Sequence, residues 1–295
     1  MNSREKGFLL LSSHLGNPDR KIMSVHQLRV LADRIGQMKE PEKNRDLELS
    51  DLMAMGYRRD TAGQILSLLN EDALLEHYLR RGRQAGCVPV TRVSEGYPLI
   101  LRKRLGLDSP GCLWAKGDLS VLNTPSISLV GSRDLLEPNR KFAAEVGRQA
   151  AMQGLTLVSG NARGADKTAQ DSCLEAGGRV ISVVADSLNT HRTMPNMLYL
   201  SEDGFDEAFS SQRAISRNRV IHALGRMVFV AQCGLGKGGT WDGTAKNLRF
   251  GWSPVACFRD GGEASNQLEQ MGAYLVDSKD LADYCGLLEE PITFF

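Results

Sequence analysis

Nowhere in its 295 residues does the sequence hold a run of about 18 apolar residues, so it is expected to have no membrane span and no membrane partner. The one apolar stretch near the start, residues 7–12, is too short for a secretory signal, and no small-residue cleavage pattern follows it. The expected compartment is therefore the cytoplasm. Cysteine is sparse and dispersed: Cys87, Cys112, Cys173, Cys233, Cys257 and Cys285 form no C-x-x-C pair, which points to reduced thiols and away from zinc. The five histidines show neither H-x-x-x-H nor H-E-x-x-H spacing, so no metal or other cofactor is expected. There is no G-x-x-x-x-G-K-[ST], which excludes a P-loop NTPase, and no G-x-S-x-G nucleophile elbow. Neither sign of charge dominates: 36 Lys and Arg meet 35 Asp and Glu, for a net +1. Binding to nucleic acid would have to come from a local basic patch rather than from the field of the whole molecule. Internal repeats and low-complexity tracts are also missing.

What remains is an ordinary globular composition, 42% hydrophobic and 24% charged, long enough to bury a full core. The pattern changes along the chain and suggests two domains, 1–86 and 87–295. The first lacks strand-like runs. Residues 25–38 place Leu28, Leu31, Ala32 and Ile35 at helical spacing, and 36–45 read as a loop. Residues 47–55 and 60–69 form a helix–turn–helix candidate with Gly56 as a stop and Asp60 as an N-cap, and 72–86 form a third helix ending in Arg80, Arg81 and Arg83. A connecting region, 87–125, holds one short strand candidate at 112–115.

Beyond it, apolar strands are expected at 126–130, 155–158, 180–184, 227–231, 254–258 and 273–276. Helices are expected at 138–153, 164–176, 214–224, 239–250 and 279–288. Continuously apolar strands separated by helices predict an α/β fold, a mostly parallel sheet covered on both faces.

In such a sheet the ligand lies beyond the carboxyl ends of the strands. The glycine-rich and polar segments fall there: Gly131-Ser132-Arg133, then Ser159-Gly160-Asn161-Ala162-Arg163-Gly164-Ala165-Asp166 with Lys167, then Asp186, then the run from Gln232 through Lys237 to Gly239-Thr240. Glycines let backbone N–H groups approach an anion, and the helices starting near Gly164 and Gly239 add free donors. Arg133 and Arg163 offer forked donors to phosphate oxygens; Ser132, Ser159 and Thr240 offer hydroxyls. Arg213, Arg217 and Arg219, around Asn218, could follow a nucleic-acid backbone, with Val220 and Ile221 re-entering the core behind them. The turn after the first strand is not G-x-G-x-x-G, which speaks against an NAD-type site. Asp166 and Asp186 fall at strand ends and could act as acids, bases or ribose ligands, but no metal ligands or nucleophile–base pair can be assembled from the residues there, so no catalysis is expected.

These segments resemble the DprA/Smf family of DNA-processing proteins. The likeness is carried by Tyr97-Pro98, Leu113-Trp114-Ala115-Lys116-Gly117-Asp118, Val130-Gly131-Ser132-Arg133, the loop from Ser159 to Asp166, Glu175-Ala176-Gly177-Gly178, Arg217-Asn218-Arg219-Val220-Ile221 and Gly239-Thr240-Trp241, in family order. The resemblance implies a Rossmann-like domain that binds single-stranded DNA, commonly as a homodimer, and loads a RecA-type recombinase, without being an enzyme. It assigns the DNA site to Gly131, Ser132, Arg133, Ser159, Gly160, Arg163, Gly164, Asp166, Arg217, Asn218 and Arg219. There are departures. Gln170 stands where the family usually has histidine, Gln232 where an acidic residue commonly ends a strand, and the sequence ends at Phe295 with little room for the winged helix many relatives carry. An alternative is a nucleotide-signal sensor of the same broad fold, for example in a defence system. In that case Gly243 replaces the glutamate that a phosphoribohydrolase would need.

Overall fold

The structure, a computed structural model, describes residues 1–38 and 46–288. Of the loop expected over 36–45, residues 39–45 lie outside the described residues. The chain forms two compact units. One comprises Met1–Tyr97, Pro110–Trp114 and Glu202–Gly204; the other comprises Pro98–Ser109, Ala115–Ser201 and the chain from Phe205 onward.

The first unit is mainly helical, with α1 (Ser3–Ser12), α2 (Val25–Gly36), α3 (Leu49–Ala54), α4 (Arg59–Leu69) and α5 (Asp72–Gln84). Two of these helices start with reciprocal caps. The Asn2 side chain accepts from the Glu5 N–H while the Glu5 carboxylate accepts from the Asn2 N–H, and Ser24 and Gln27 repeat the arrangement. Leu11, Leu31, Leu52, Ala62, Ile65 and Leu68 form the buried cluster. Gly56, at φ +87°, turns the chain out of α3. Asp60 is not the cap of α4. Arg58 holds that position without a side-chain bond, and Asp60 lies in the first turn, where its charge faces the helix dipole. The unit also contains β1 (Cys87–Thr91) and the start of β2 (Cys112–Gly117); β1 falls in the region that the sequence pattern reads as a connection. The Tyr78 ring meets Trp114 edge-on at 5.2 Å, and the Tyr97 hydroxyl donates to the Pro110 carbonyl at 2.7 Å.

The second unit carries α6 (Leu99–Leu105), β3 (Ser126–Val130), α7 (Glu137–Met152), β4 (Thr156–Ser159), α8 (Ala165–Glu175), β5 (Arg179–Val183) and β6 (Met197–Ser201). It continues with α9 (Ser211–Ser216), α10 (Asn218–Leu224), β7 (Val228–Val230), α11 (Gly239–Phe250), β8 (Val255–Phe258), α12 (Glu263–Gln270), β9 (Tyr274–Val276) and α13 (Tyr284–Leu288). Strands β6-β5-β4-β3-β7-β8-β9 lie side by side in that order, and every pair among them is parallel. The chain builds outward from β3 through β4, β5 and β6, then returns to the other side of β3 for β7, β8 and β9. The topological switch point therefore lies between β3 and β7.

Strands β3 and β4 are buried along their whole length, as their apolar runs require. Helix α7 buries Phe142, Val146 and Ala150, and its Gly147 lets α8 approach so closely that a Cβ there would stand 2.0 Å from the Ala169 carbonyl oxygen. The sequence pattern singles out neither β6 nor α12. The single helix expected at 214–224 is two, broken at Arg217. The final helix expected at 279–288 is a 3-10 turn, Ser278–Ala282, followed by α13. Among the described residues no helix is long and apolar enough to cross a membrane.

Candidate nucleic-acid interface

At the switch point the chain leaving β3 is stitched to the chain leaving β7. The Ser132 N–H donates to the Gln232 carbonyl at 2.9 Å and the Ser132 hydroxyl to the same oxygen at 3.1 Å. The Gln232 side chain accepts from the Leu136 N–H at 2.9 Å, a bond that an uncharged amide makes as well as a carboxylate would. Gly131 is small because Ala165 leaves no room: a Cβ there would lie 2.4 Å from the Ala165 Cβ. Gly164 precedes α8 at φ +90°, and a Cβ on it would stand 2.3 Å from the Arg133 carbonyl oxygen. This glycine thus permits both the backbone conformation and the close passage of the two loops.

The floor of the site is an ion pair. Arg217, at the break between α9 and α10, brings its guanidinium to 3.9 Å from the Asp166 carboxylate; both side chains are about nine-tenths buried. The Ala162 N–H also donates to Asp166 at 3.3 Å. Burial pushes the Asp166 pKa up, and the Arg217 charge and nearby hydrogen bonds oppose the shift. The guanidinium lies directly against Gly160, where a Cβ would come within 1.6 Å of Arg217 Nη1. On the β7 side, the Thr240 hydroxyl donates to the Gly131 carbonyl at 3.0 Å and the Asn218 amide to the Gly239 carbonyl at 3.0 Å, fixing the start of α11 beside the β3 turn.

Between these walls lies a cleft of about 510 Å³. Of the residues expected at the site, it brings together Gly131, Ser132, Arg133, Asp166, Arg217, Asn218, Lys237, Gly239 and Thr240. Arg133 and Lys237 are exposed, and among the described residues neither side chain is held by a hydrogen bond or ion pair. The others sit elsewhere. Ser159 is buried and donates to the Leu129 carbonyl at 2.8 Å, and Gly160 and Gly164 support the walls from behind. Arg163 pairs with Asp134 at 2.8 Å, with both side chains largely in solvent, and Lys167 pairs with Asp171 at 2.6 Å along α8. Arg219 donates to the Asp108 carbonyl at 2.9 Å and to both the carbonyl and the hydroxyl of Ser216. Arg213 binds the carbonyls of Ala185, Glu207 and Ala208 and the Ser201 hydroxyl, so it anchors the segment before α9. Of the three clustered arginines, Arg217 alone lines the cleft. Asp186 accepts from His191 Nε2 at 3.0 Å and stands apart from the cleft. Gln170, in the place of the family's histidine, is buried and reaches the Ser182 hydroxyl at 3.4 Å.

The sequence pattern had not indicated an apolar wall. Phe209 and Ile215 line the cleft while 58% and 49% exposed, and Ala214 lies between them. The available signal was Phe209 itself, an aromatic four residues after Phe205 in an otherwise polar stretch. A cleft with two unengaged cations, a buried guanidinium, glycine-lined turns and an exposed aromatic can hold phosphate on one side and a flat ring on the other.

Fold and site together define a parallel α/β protein with a cleft lined by Arg133, Arg217 and Lys237 at its switch point. A profile of the family described as DNA recombination-mediator protein A matches residues 89–285. The chain belongs to that family, the DprA/Smf proteins. It is 31% identical over 184 residues to the DNA processing protein DprA of Streptococcus pneumoniae, covering 58% of this chain and 65% of that protein. It is 30% identical over 156 residues to the Smf protein of Escherichia coli, covering 49% and 41%. The matched regions thus span less than two thirds of these relatives' own lengths. The solved structure of the Streptococcus pneumoniae protein superposes with a TM-score of 0.66 at 24% identity, over 88% of this chain and 97% of that one. That of DNA processing protein A from Helicobacter pylori, described for its single-stranded DNA binding mode, gives 0.55 at 23% identity, over 66% and 94%. At these identities both show the shared fold.

Proposed function

We propose that the chain binds single-stranded DNA in the switch-point cleft and acts in DNA uptake or recombination by holding and protecting the strand for a RecA-type recombinase. It does so by binding rather than turnover, as a homodimer in the cytoplasm. The division into a helical part, 1–86, and a DNA-binding part, 87–295, belongs to the same proposal. The observation that supports it best is that unengaged Arg133 and Lys237, exposed Phe209 and buried Arg217 line one cleft. Cations alone would accept any polyanion, whereas an aromatic face at the same opening suits a strand whose bases are unpaired.

The test is a fluorescence-anisotropy titration with labelled single-stranded DNA across a salt series. Arg133→Ala and Lys237→Ala should each weaken binding and reduce the slope of log K against log salt by about 0.7, with unfolding unchanged. Binding indifferent to salt would refute the reading. Displacement of the strand by a mononucleotide at equal concentration would favour a nucleotide sensor instead.

A further inference from the structure

Helix α11 links the cleft to the opposite edge of the sheet. It starts at Gly239 in the cleft and runs 12 residues to Phe250, a span of about 18 Å. Asp242, Lys246, Arg249 and Phe250 are exposed and recur at three- and four-residue spacing, so they share one face of the helix. Beyond its first turn that face is cationic. At the far end Gly251 adopts φ +63°, and the turn it makes lays Trp252 against Phe250, ring centroids 5.8 Å apart and planes 16° from parallel. The Arg249 guanidinium lies 5.5 Å from the same Phe250 ring, which remains 61% exposed. A stacked pair left this open does little for the core.

The surroundings add positive charge. The parallel register of Val228 with Val255 sets exposed Arg226 level with Ser253, beside Trp252 in the chain. Arg104 donates to the carbonyls of Ala223 and Gly225 just before Arg226. Burial, and then the charge of Arg226, hold the Arg104 guanidinium down to about 10. Guanidinium groups beside an exposed Phe250 ring backed by half-buried Trp252 match a ligand that alternates anionic groups with flat faces, and a duplex keeps those faces stacked inside.

We propose that Arg226, Lys246, Arg249 and the Phe250–Trp252 stack form a second contact surface for single-stranded DNA, reached from the cleft along α11. This rests on the cleft reading of the preceding section. A stacked strand advances about 3.4 Å per nucleotide, so about five nucleotides separate the two surfaces. A strand of about four nucleotides fills the cleft alone, and one of about twenty reaches both.

The experiment titrates the full chain with fluorescently labelled oligodeoxythymidylates of those two lengths. The Phe250→Ala/Trp252→Ala double variant should lose roughly tenfold in affinity for the long strand and less than about twofold for the short one. Phe250→Trp should keep the long-strand affinity, because a larger ring still stacks. Arg249→Ala should lower the salt slope for the long strand only. Equal losses on both strands, or none on either, would overturn the second surface while leaving the cleft standing. A change in molecular mass by light scattering in the double variant would also overturn it, by assigning the stack to contact between copies of the chain. Failure of the unmodified protein to bind either strand would remove the cleft reading, and this inference with it.

Discussion

Replacing Gly160 by alanine tests the architecture of the cleft floor with the smallest available change. Gly160 is not among the glycines with positive φ, so the alanine backbone is permitted. The obstacle is the guanidinium of Arg217: the new Cβ would stand 1.6 Å from Nη1 and 2.2 Å from both Cζ and Nη2. Arginine side chains usually swing aside at little cost. This one is nine-tenths buried and faces Asp166 at 3.9 Å, so leaving its place separates a buried pair. Breaking such pairs costs about 3–5 kcal/mol. Here the separation is long and Asp166 keeps the Ala162 N–H and can take up a proton, so about 2–3 kcal/mol is expected. For a unit of this size that lowers Tm by about 5–10 °C. The displaced guanidinium should also cost about tenfold or more in single-strand affinity. Thermal unfolding and anisotropy titrations of Gly160→Ala, Arg217→Ala and the double variant close a cycle. The double variant should be no worse than Arg217→Ala, because the methyl group then meets empty space. Additive losses, or a Gly160→Ala protein with unchanged melting and binding, would refute the reasoning.

Two further outcomes follow from buried groups near the cleft. His222 is fully buried, with Nδ1 3.2 Å from the Asn247 amide, and burial, then the Arg217 charge, push its pKa down to about 3. Between about pH 6.5 and 3 the unfolded chain binds a proton that the folded chain refuses, so stability falls as pH falls through that window, by up to about 1.4 kcal/mol per unit. Urea denaturation at pH 7 and pH 5 should show a smaller loss in His222→Gln than in the unmodified protein, and equal losses would count against the assignment. Gly164→Ala places a Cβ 2.3 Å from the Arg133 carbonyl oxygen and 2.4 Å from that of Ser132, at φ +90°. It should destabilise by about 3 kcal/mol or more and carry Arg133 out of position, so calorimetry showing an unshifted Tm would contradict the described loop packing.

Local chemistry was legible in the sequence wherever one segment decides its own state. The apolar runs of β3, β7 and β8, the 3.6-residue spacing of Phe142, Val146 and Ala150, and the span of α11 follow from burial and helical periodicity, which act within a few residues. The glycine turns at the strand ends were legible for the same reason, and so was the family that carries them. Strand β6, MLYLS, alternates no more clearly than a buried helix would, so periodicity could not place it.

What the tertiary structure alone decided was partnership. The strand order put the ends of β3 and β7 side by side and so selected which of several similar loops form the cleft. Three arginines within seven residues looked alike in sequence. The fold gave Arg213 to backbone carbonyls, Arg219 to Ser216 and Asp108, and Arg217 to Asp166 against Gly160. A guanidinium group's role depends on which acceptors lie within about 3–4 Å of it, and those acceptors come from segments up to about a hundred residues away, brought near only when the sheet closes its order.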